Sequence, residues 1–290
     1  VVLAGAEDAL GDVQTALDSA FVDVMRGNYY GAMVRYEDML AADSTVVDAY
    51  RFLGWLRIAT ARDDLKEAGD YLRRAVELKP EDAGVHNDLG YVYAFQNNFT
   101  PAVEAFQKAV KLQPDEVLFH RNLGFAAVKG GDYALAESAF QAAVGLDPLD
   151  DVAVYGYGLS LSRQERYEEA LRAFRKAVHI FPNRKEAHSE TGLILVRGGN
   201  FKDAAAAYER ARKIDFEDPK PHYSLAQIYR NLGDSLKAVQ EWKTFQFFDK
   251  EHRHEVRERY ILQTRFDRIA EFIDRGFAYV RLGRLEDALN

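Results

Sequence analysis

Residues 83–116, AGVHNDLGYVYAFQNNFTPAVEAFQKAVKLQPDE, run directly into residues 117–150, VLFHRNLGFAAVKGGDYALAESAFQAAVGLDPLD, and the second stretch restates the first 34 residues later. Pro80, Pro114, Pro148 and Pro182 keep the same interval of 34. Units starting at Ala83, Val117, Asp151, Lys185 and Pro219 align without insertion. Their eighth position reads Gly90, Gly124, Gly158, Gly192 and Ala226, and their twentieth reads Ala102, Ala136, Ala170, Ala204 and Ala238. The twenty-fourth reads Phe106, Phe140, Phe174, Tyr208 and Trp242, and the twenty-seventh reads Ala109, Ala143, Ala177, Ala211 and Phe245. A fixed period of this length means one small unit stacked many times, so function is to be sought on a shared surface.

The columns have a packing logic. Leu89-Gly90-x-x-Tyr93 sets apolar residues along a first helix, and its glycine admits a neighbour. A turn follows at Asn97-Asn98-Phe99, Gly130-Gly131-Asp132-Tyr133 and Gly198-Gly199-Asn200-Phe201, rich in residues that tolerate unusual backbone angles. Ala-x-x-x-Phe-x-x-Ala then holds one face of a second helix, and proline ends it. The unit is a helical hairpin. It resembles the tetratricopeptide repeat family, whose pattern is a helix-turn-helix with Leu-Gly-x-x-Tyr, Ala-x-x-x-Phe and a closing proline. The family's tryptophan at the fourth position is replaced here by His86, His120, Val154, His188 and His222. The resemblance implies an all-α fold, a right-handed superhelical solenoid of such hairpins.

Extending the frame predicts seven units, at 13–46, 47–82, 83–116, 117–150, 151–184, 185–218 and 219–252. The second carries a two-residue insertion around Thr60–Asp64, and residues 1–12 form a helical lead-in. After the seventh unit the columns fail, and 253–268 reads as an extra helical segment. They return at Gly276 and Tyr279, a partial eighth unit over 269–290. Leu262, Phe266, Ile269, Ile273 and Phe277 keep helical spacing, predicting one long helix from about Glu255 to Arg281. A first residue other than Met and a last unit cut short read as a fragment of a longer protein.

The net charge of −8 argues against nucleic acid as a partner. No run of 18 apolar residues exists to span a membrane. With no cysteine there are no disulfides, and the compartment stays open between cytoplasm and periplasm for a soluble protein. The histidine column is read as packing, because stacked helices lie on the order of 10 Å apart and ligands must sit about 2 Å from one metal ion. His254-Glu255-x-x-Glu258 lacks the second histidine of a metalloprotease, and Gly130-Gly131-Asp132 and Gly156-x-Gly158 fall in repeat register rather than after strands. No catalytic residue, metal or cofactor is expected, and the chain is read as a non-enzyme.

In the family resembled, first helices line a concave groove through positions 2, 5, 9, 12 and 13. That implies a peptide-binding surface made by Asn87, Tyr91, Phe95, Arg121, Phe125, Lys129, Tyr155, Leu159, Arg163, Leu193, Arg197, Tyr223, Gln227 and Arg230. Aromatic side chains flanked by the Lys129–Arg163–Arg197 cations suit an acidic peptide or helix, and arginine and aromatics dominate interface energetics. The carboxylate clamp of chaperone-binding members is absent, since Asn87 and Tyr91 precede Asn122 and Val152 and Gly156 follow it. Nor does position six carry the asparagine ladder of sugar-transferase members. Trp242, Phe245, Phe247 and Phe248 form a second docking patch, unless the predicted 255–281 helix covers it. The function expected is a non-catalytic protein-interaction scaffold. Two alternatives stand beside it. One is the recruiting region of a larger enzyme or an envelope secretion or exopolysaccharide-export machine; the other is a homo-oligomer built by end-to-end stacking.

Overall fold

The computed structural model describes residues 2–60 and 65–251, with side chains from residue 13 to residue 249. The 253–268 segment, the partial eighth unit and the predicted long helix lie outside the described residues, as does most of the expected insertion near residue 62.

The described residues form fourteen helices and divide into two compact units, one ending at Leu112 and the other starting at Gln113. The first holds α1 (Val2–Met25), α2 (Tyr29–Ala42), α3 (Val47–Thr60), α4 (Lys66–Leu78), α5 (Ala83–Phe95) and α6 (Phe99–Leu112). The second holds α7 (Val117–Gly130), α8 (Tyr133–Leu146), α9 (Asp151–Arg163) and α10 (Tyr167–Ile180). It continues with α11 (Lys185–Arg197), α12 (Phe201–Ile214), α13 (Pro219–Asn231) and α14 (Ser235–Glu251). Each odd-numbered helix packs most closely on the even-numbered helix after it, giving consecutive hairpins. The fold is all-α, an array of helical repeats.

Local chemistry sets the ends of the hairpins. Helices α4, α6, α8 and α10 stop two residues before Pro80, Pro114, Pro148 and Pro182, where the proline ring disfavours the helical conformation of its predecessor. The tight turn after α5, α7, α9, α11 and α13 passes through the left-handed region at Asn97, Gly131, Glu165, Gly199 and Gly233. Glu165, with φ of 63°, carries the steric penalty that glycine would avoid. First helices open on an acidic column that the sequence reading passed over. Asp82, Asp150 and Asp218 accept hydrogen bonds from the backbone N–H of Val85, Ala153 and Lys220 at 3.2, 2.9 and 3.0 Å. Such caps answer N–H groups that have no partner inside the helix.

The hairpins close on the predicted columns. A Cβ at Gly90, Gly124, Gly158 or Gly192 would lie 2.6–2.8 Å from the nearest ring carbon of Phe106, Phe140, Phe174 or Tyr208. The eighth-position glycine therefore seats the aromatic of its own second helix. Phe140 is held twice, since a Cβ at Gly156 on α9 would come within 2.2 Å of it. Glycine at 156 lets α9 lie against α8, so the second unit is continuous from hairpin to hairpin. The rings of Phe106, Phe140 and Phe174 and the column alanines from Ala102 to Ala211 are fully or almost fully buried, whereas Ala238 of the seventh unit is only partly buried.

Candidate functional site

The histidine column has a structural occupation. His86, His120, His188 and His222 direct Nε2 at the carbonyl oxygens of Pro80, Pro114, Pro182 and Phe216, at 2.7, 2.8, 3.1 and 2.8 Å. A carbonyl only accepts, so Nε2 carries the proton in each, and the ring ties a first helix to the loop six residues before it. Among the described residues no three histidine, aspartate or glutamate side chains gather as a metal site.

In the first unit, the expected groove residues stand on α5. Asn87 is fully buried by helix packing. Tyr91 and Phe95 are half-buried and stack with ring centroids 6.1 Å apart. Tyr91 also meets Trp55 of α3 edge-on at 5.4 Å and Phe106 of α6 at 5.6 Å. Trp55 was missed because the extra residues in the second unit shift it out of the common frame, although it follows Leu53-Gly54 as Tyr91 follows Leu89-Gly90. Arg51 pairs with Asp88 at 2.8 Å, a bridge from α3 to α5 with its carboxylate almost wholly buried.

In the second unit, the expected groove residues stand on α7, α9, α11 and α13. Phe125 meets Phe140 edge-on at 4.8 Å, and Tyr155 lies 5.8 Å from Phe174. These half-buried aromatics brace the second helix of their own hairpin. Burial pushes the Tyr155 phenol well above its ordinary range, and the carboxylates of Glu190 and Glu186 push it further, so it stays neutral. Leu159 is buried, whereas Leu193 and Gln227 are half-buried.

The expected cationic row is largely engaged within the fold. Arg163 grips Glu190 of the next first helix with two hydrogen bonds of 3.1 and 3.3 Å. Arg121 reaches Asp150 at 3.0 Å. Arg197 hydrogen-bonds the Tyr167 hydroxyl at 2.7 Å and lies over its ring. Lys129 and Arg230 are exposed and make no ion pair among the described residues. Among the expected groove residues, positive charge available to a ligand is thus confined to these two and Arg197.

The two sites read separately from the sequence meet at the end of the second unit. Tyr223 of α13 lies 6.1 Å from Trp242 and 5.2 Å from Phe245 of α14, and those two rings are 5.2 Å apart. Tyr223 is 43% exposed and Trp242 is 42% exposed. The fourth member of the patch, Phe248, turns inward to Phe216 and His222, at 5.6 and 5.8 Å. Phe247 stays exposed. Beneath the cluster, the fully buried His222 bonds Glu241 at 2.6 Å, and Glu241 also receives Arg212. This network anchors α14 to α13 and α12 and holds the rings in place. No helix among the described residues is long and apolar enough to cross a membrane.

A family model described as tetratricopeptide repeat matches residues 87–151, 155–219 and 190–242. Among solved structures, MamA (residues 41 to the end) from Desulfovibrio magneticus RS-1 is 26% identical with a TM-score of 0.53, over 59% of this chain and 96% of that one. YrrB, described as a TPR protein with an unusual peptide-binding site, is 21% identical with a TM-score of 0.53, over 65% of this chain and 96% of its own. PilF of Pseudomonas aeruginosa is 19% identical with a TM-score of 0.58, over 72% and 98%. The last two likenesses are of fold alone. No curated protein matches the chain in sequence.

Proposed function

Because this chain belongs to the tetratricopeptide repeat family, whose members are generally protein-interaction scaffolds, we propose that it is a non-catalytic scaffold. Its second unit receives a peptide or helix of a partner on the face of its first helices, continued at α13 onto the adjoining side of α14. The observation that carries this reading is the Tyr223–Trp242–Phe245 cluster, where three rings stand together with two of them more than two-fifths open to solvent. Tyrosine and tryptophan supply large contact area at little conformational cost, which is why they anchor interfaces. Phe125 and Leu193 extend the apolar line toward the earlier hairpins, and Lys129 and Arg230 favour acidic groups on the partner.

Capture of partners by the full chain, repeated with Tyr223→Ala/Trp242→Ala, tests the assignment. The reading expects a saturable partner whose affinity falls at least tenfold in the variant, as loss of two anchors implies. A partner retained undiminished places binding elsewhere. Self-association is the second reading. Leu236, Val239, Trp242 and Phe247 of α14 are all exposed, and apolar side chains gathered on one surface mark contacts. Sedimentation across a hundredfold range of concentration would show a rising mass if copies pair through α14.

A further inference from the structure

The second hairpin of the second unit, 151–184, departs from its neighbours at adjoining positions. Val154 stands where four other units carry histidine, and Tyr157 stands where the others have Leu89, Leu123, Thr191 and Leu225. Both side chains line one cavity. A cavity of about 260 Å³ opens between α8, α9 and α10, walled by Val144, Val154, Tyr157, Leu161 and Ala173. At its mouth stand Glu169, Arg172 and Lys176 of α10. Glu169 is turned aside, bound by Arg166 through two hydrogen bonds of 2.8 Å. Arg172 and Lys176 are exposed, and neither forms an ion pair among the described residues. The site is therefore an apolar hollow whose mouth carries two cations beside one carboxylate, Glu169, which is engaged by Arg166 and also feels the charge of Arg172.

We propose that this cavity is a second recognition site, separate from the first-helix face, that takes a bulky apolar side chain of a partner peptide with an adjacent carboxylate at Arg172 and Lys176. Size selects this occupant. Pockets for whole drug-sized molecules start at about 300 Å³, so the hollow suits one or two side chains of a longer ligand. Charge selects the neighbour, because arginine and lysine at the rim of an apolar site strengthen hydrogen bonds to carboxylate oxygen. A histidine at 154 would follow the other units toward the carbonyl six residues earlier and occupy volume that valine leaves open.

Fluorescein-labelled ten-residue peptides with a central Leu, Phe or Trp beside two Asp residues serve as the probe, titrated with the full chain and read by polarisation. Control series replace Asp with Lys, or the central residue with Ala. The acidic apolar peptides are expected to saturate at least tenfold tighter than either control. Val154→His should weaken them at least tenfold, Arg172→Glu/Lys176→Glu should abolish the preference for Asp, and Tyr223→Ala/Trp242→Ala should change nothing. Thermal melts report whether Val154→His folds; if it does not, the exposed Arg172→Glu/Lys176→Glu pair decides alone. Absence of saturation at millimolar protein, binding indifferent to the rim variant, or loss only with Tyr223→Ala/Trp242→Ala would overturn the proposal.

Discussion

Gly156→Ala should destabilise the protein when Phe140 is present and stabilise it when Phe140 is removed. The Phe140 ring is fully buried. A methyl at 156 would stand 2.2 Å from its Cε1, about 1.2 Å inside the 3.4 Å at which ordinary contact begins. The ring has little room to retreat, since Gly124 of α7 already allows only 2.8 Å for the same added carbon. Overpacking of this kind costs about 1–3 kcal/mol, and alanine's helix preference over glycine offsets about 1 kcal/mol. The net loss is about 0–2 kcal/mol. Phe140→Ala alone should cost about 3–5 kcal/mol, through lost burial and the cavity left behind. In that background the methyl meets vacated space, and Gly156→Ala should instead add about 1 kcal/mol. The coupling between the two sites is then about 1–3 kcal/mol, of the size expected for residues in contact. Urea unfolding of the four proteins by circular dichroism, compared at unchanged slope, measures it. An equal shift for Gly156→Ala in both backgrounds would refute the claim that glycine is there to seat the ring.

Three further outcomes follow from the same packing. Asp88→Ala removes the nearer of two carboxylates from Arg51, leaving Asp48 at 3.9 Å. Breaking a buried pair costs about 3–5 kcal/mol, so with this second partner the stability read from the urea midpoint should fall by about 1–3 kcal/mol, whereas Glu190→Ala, in a more exposed pair, should cost about 0–1 kcal/mol. His188→Ala removes the donor to the Pro182 carbonyl and should cost about 1–3 kcal/mol, while added zinc leaves the midpoint of the unmodified protein unchanged. Burial pushes the Asp215 carboxyl up, but the Lys185 ammonium 2.6 Å away overrides it and holds the group below its ordinary 3.8. Stability from that pair is complete above pH 3.8 and is lost as pH falls through the lowered value. Asp215→Asn should therefore unfold earlier in urea at neutral pH and show a shallower loss below pH 3.8.

Much of the fold was legible because repeat proteins are held by contacts between residues near in sequence. A glycine at position eight and an aromatic at position twenty-four belong to the same hairpin, so the pair recurs at the period and can be read without a structure. Gly124 with Phe140 and Gly158 with Phe174 are such pairs. The acidic caps were equally periodic, at Asp82, Glu116, Asp150 and Asp218, and were overlooked only because Arg184 interrupts the series. The candidate site was legible as a set of positions but not as a surface. Arg163 reads as a free cation until Glu190 of the next hairpin is seen to hold it, and the burial of Asn87 comes from packing that its column does not show.

The sequence by itself determined the hairpin, its period, its turns and the residues that close it, since each of these follows from backbone preference and short-range packing. Tertiary structure alone decided what happens where one hairpin meets the next. It paired Arg163 with Glu190, set Gly156 on Phe140, gathered Tyr223 with Trp242 and Phe245, and left a hollow behind Val154. The reason is geometric. The rotation of one helix against another is set by all the side chains between them together, so a linear column cannot say which neighbours will touch.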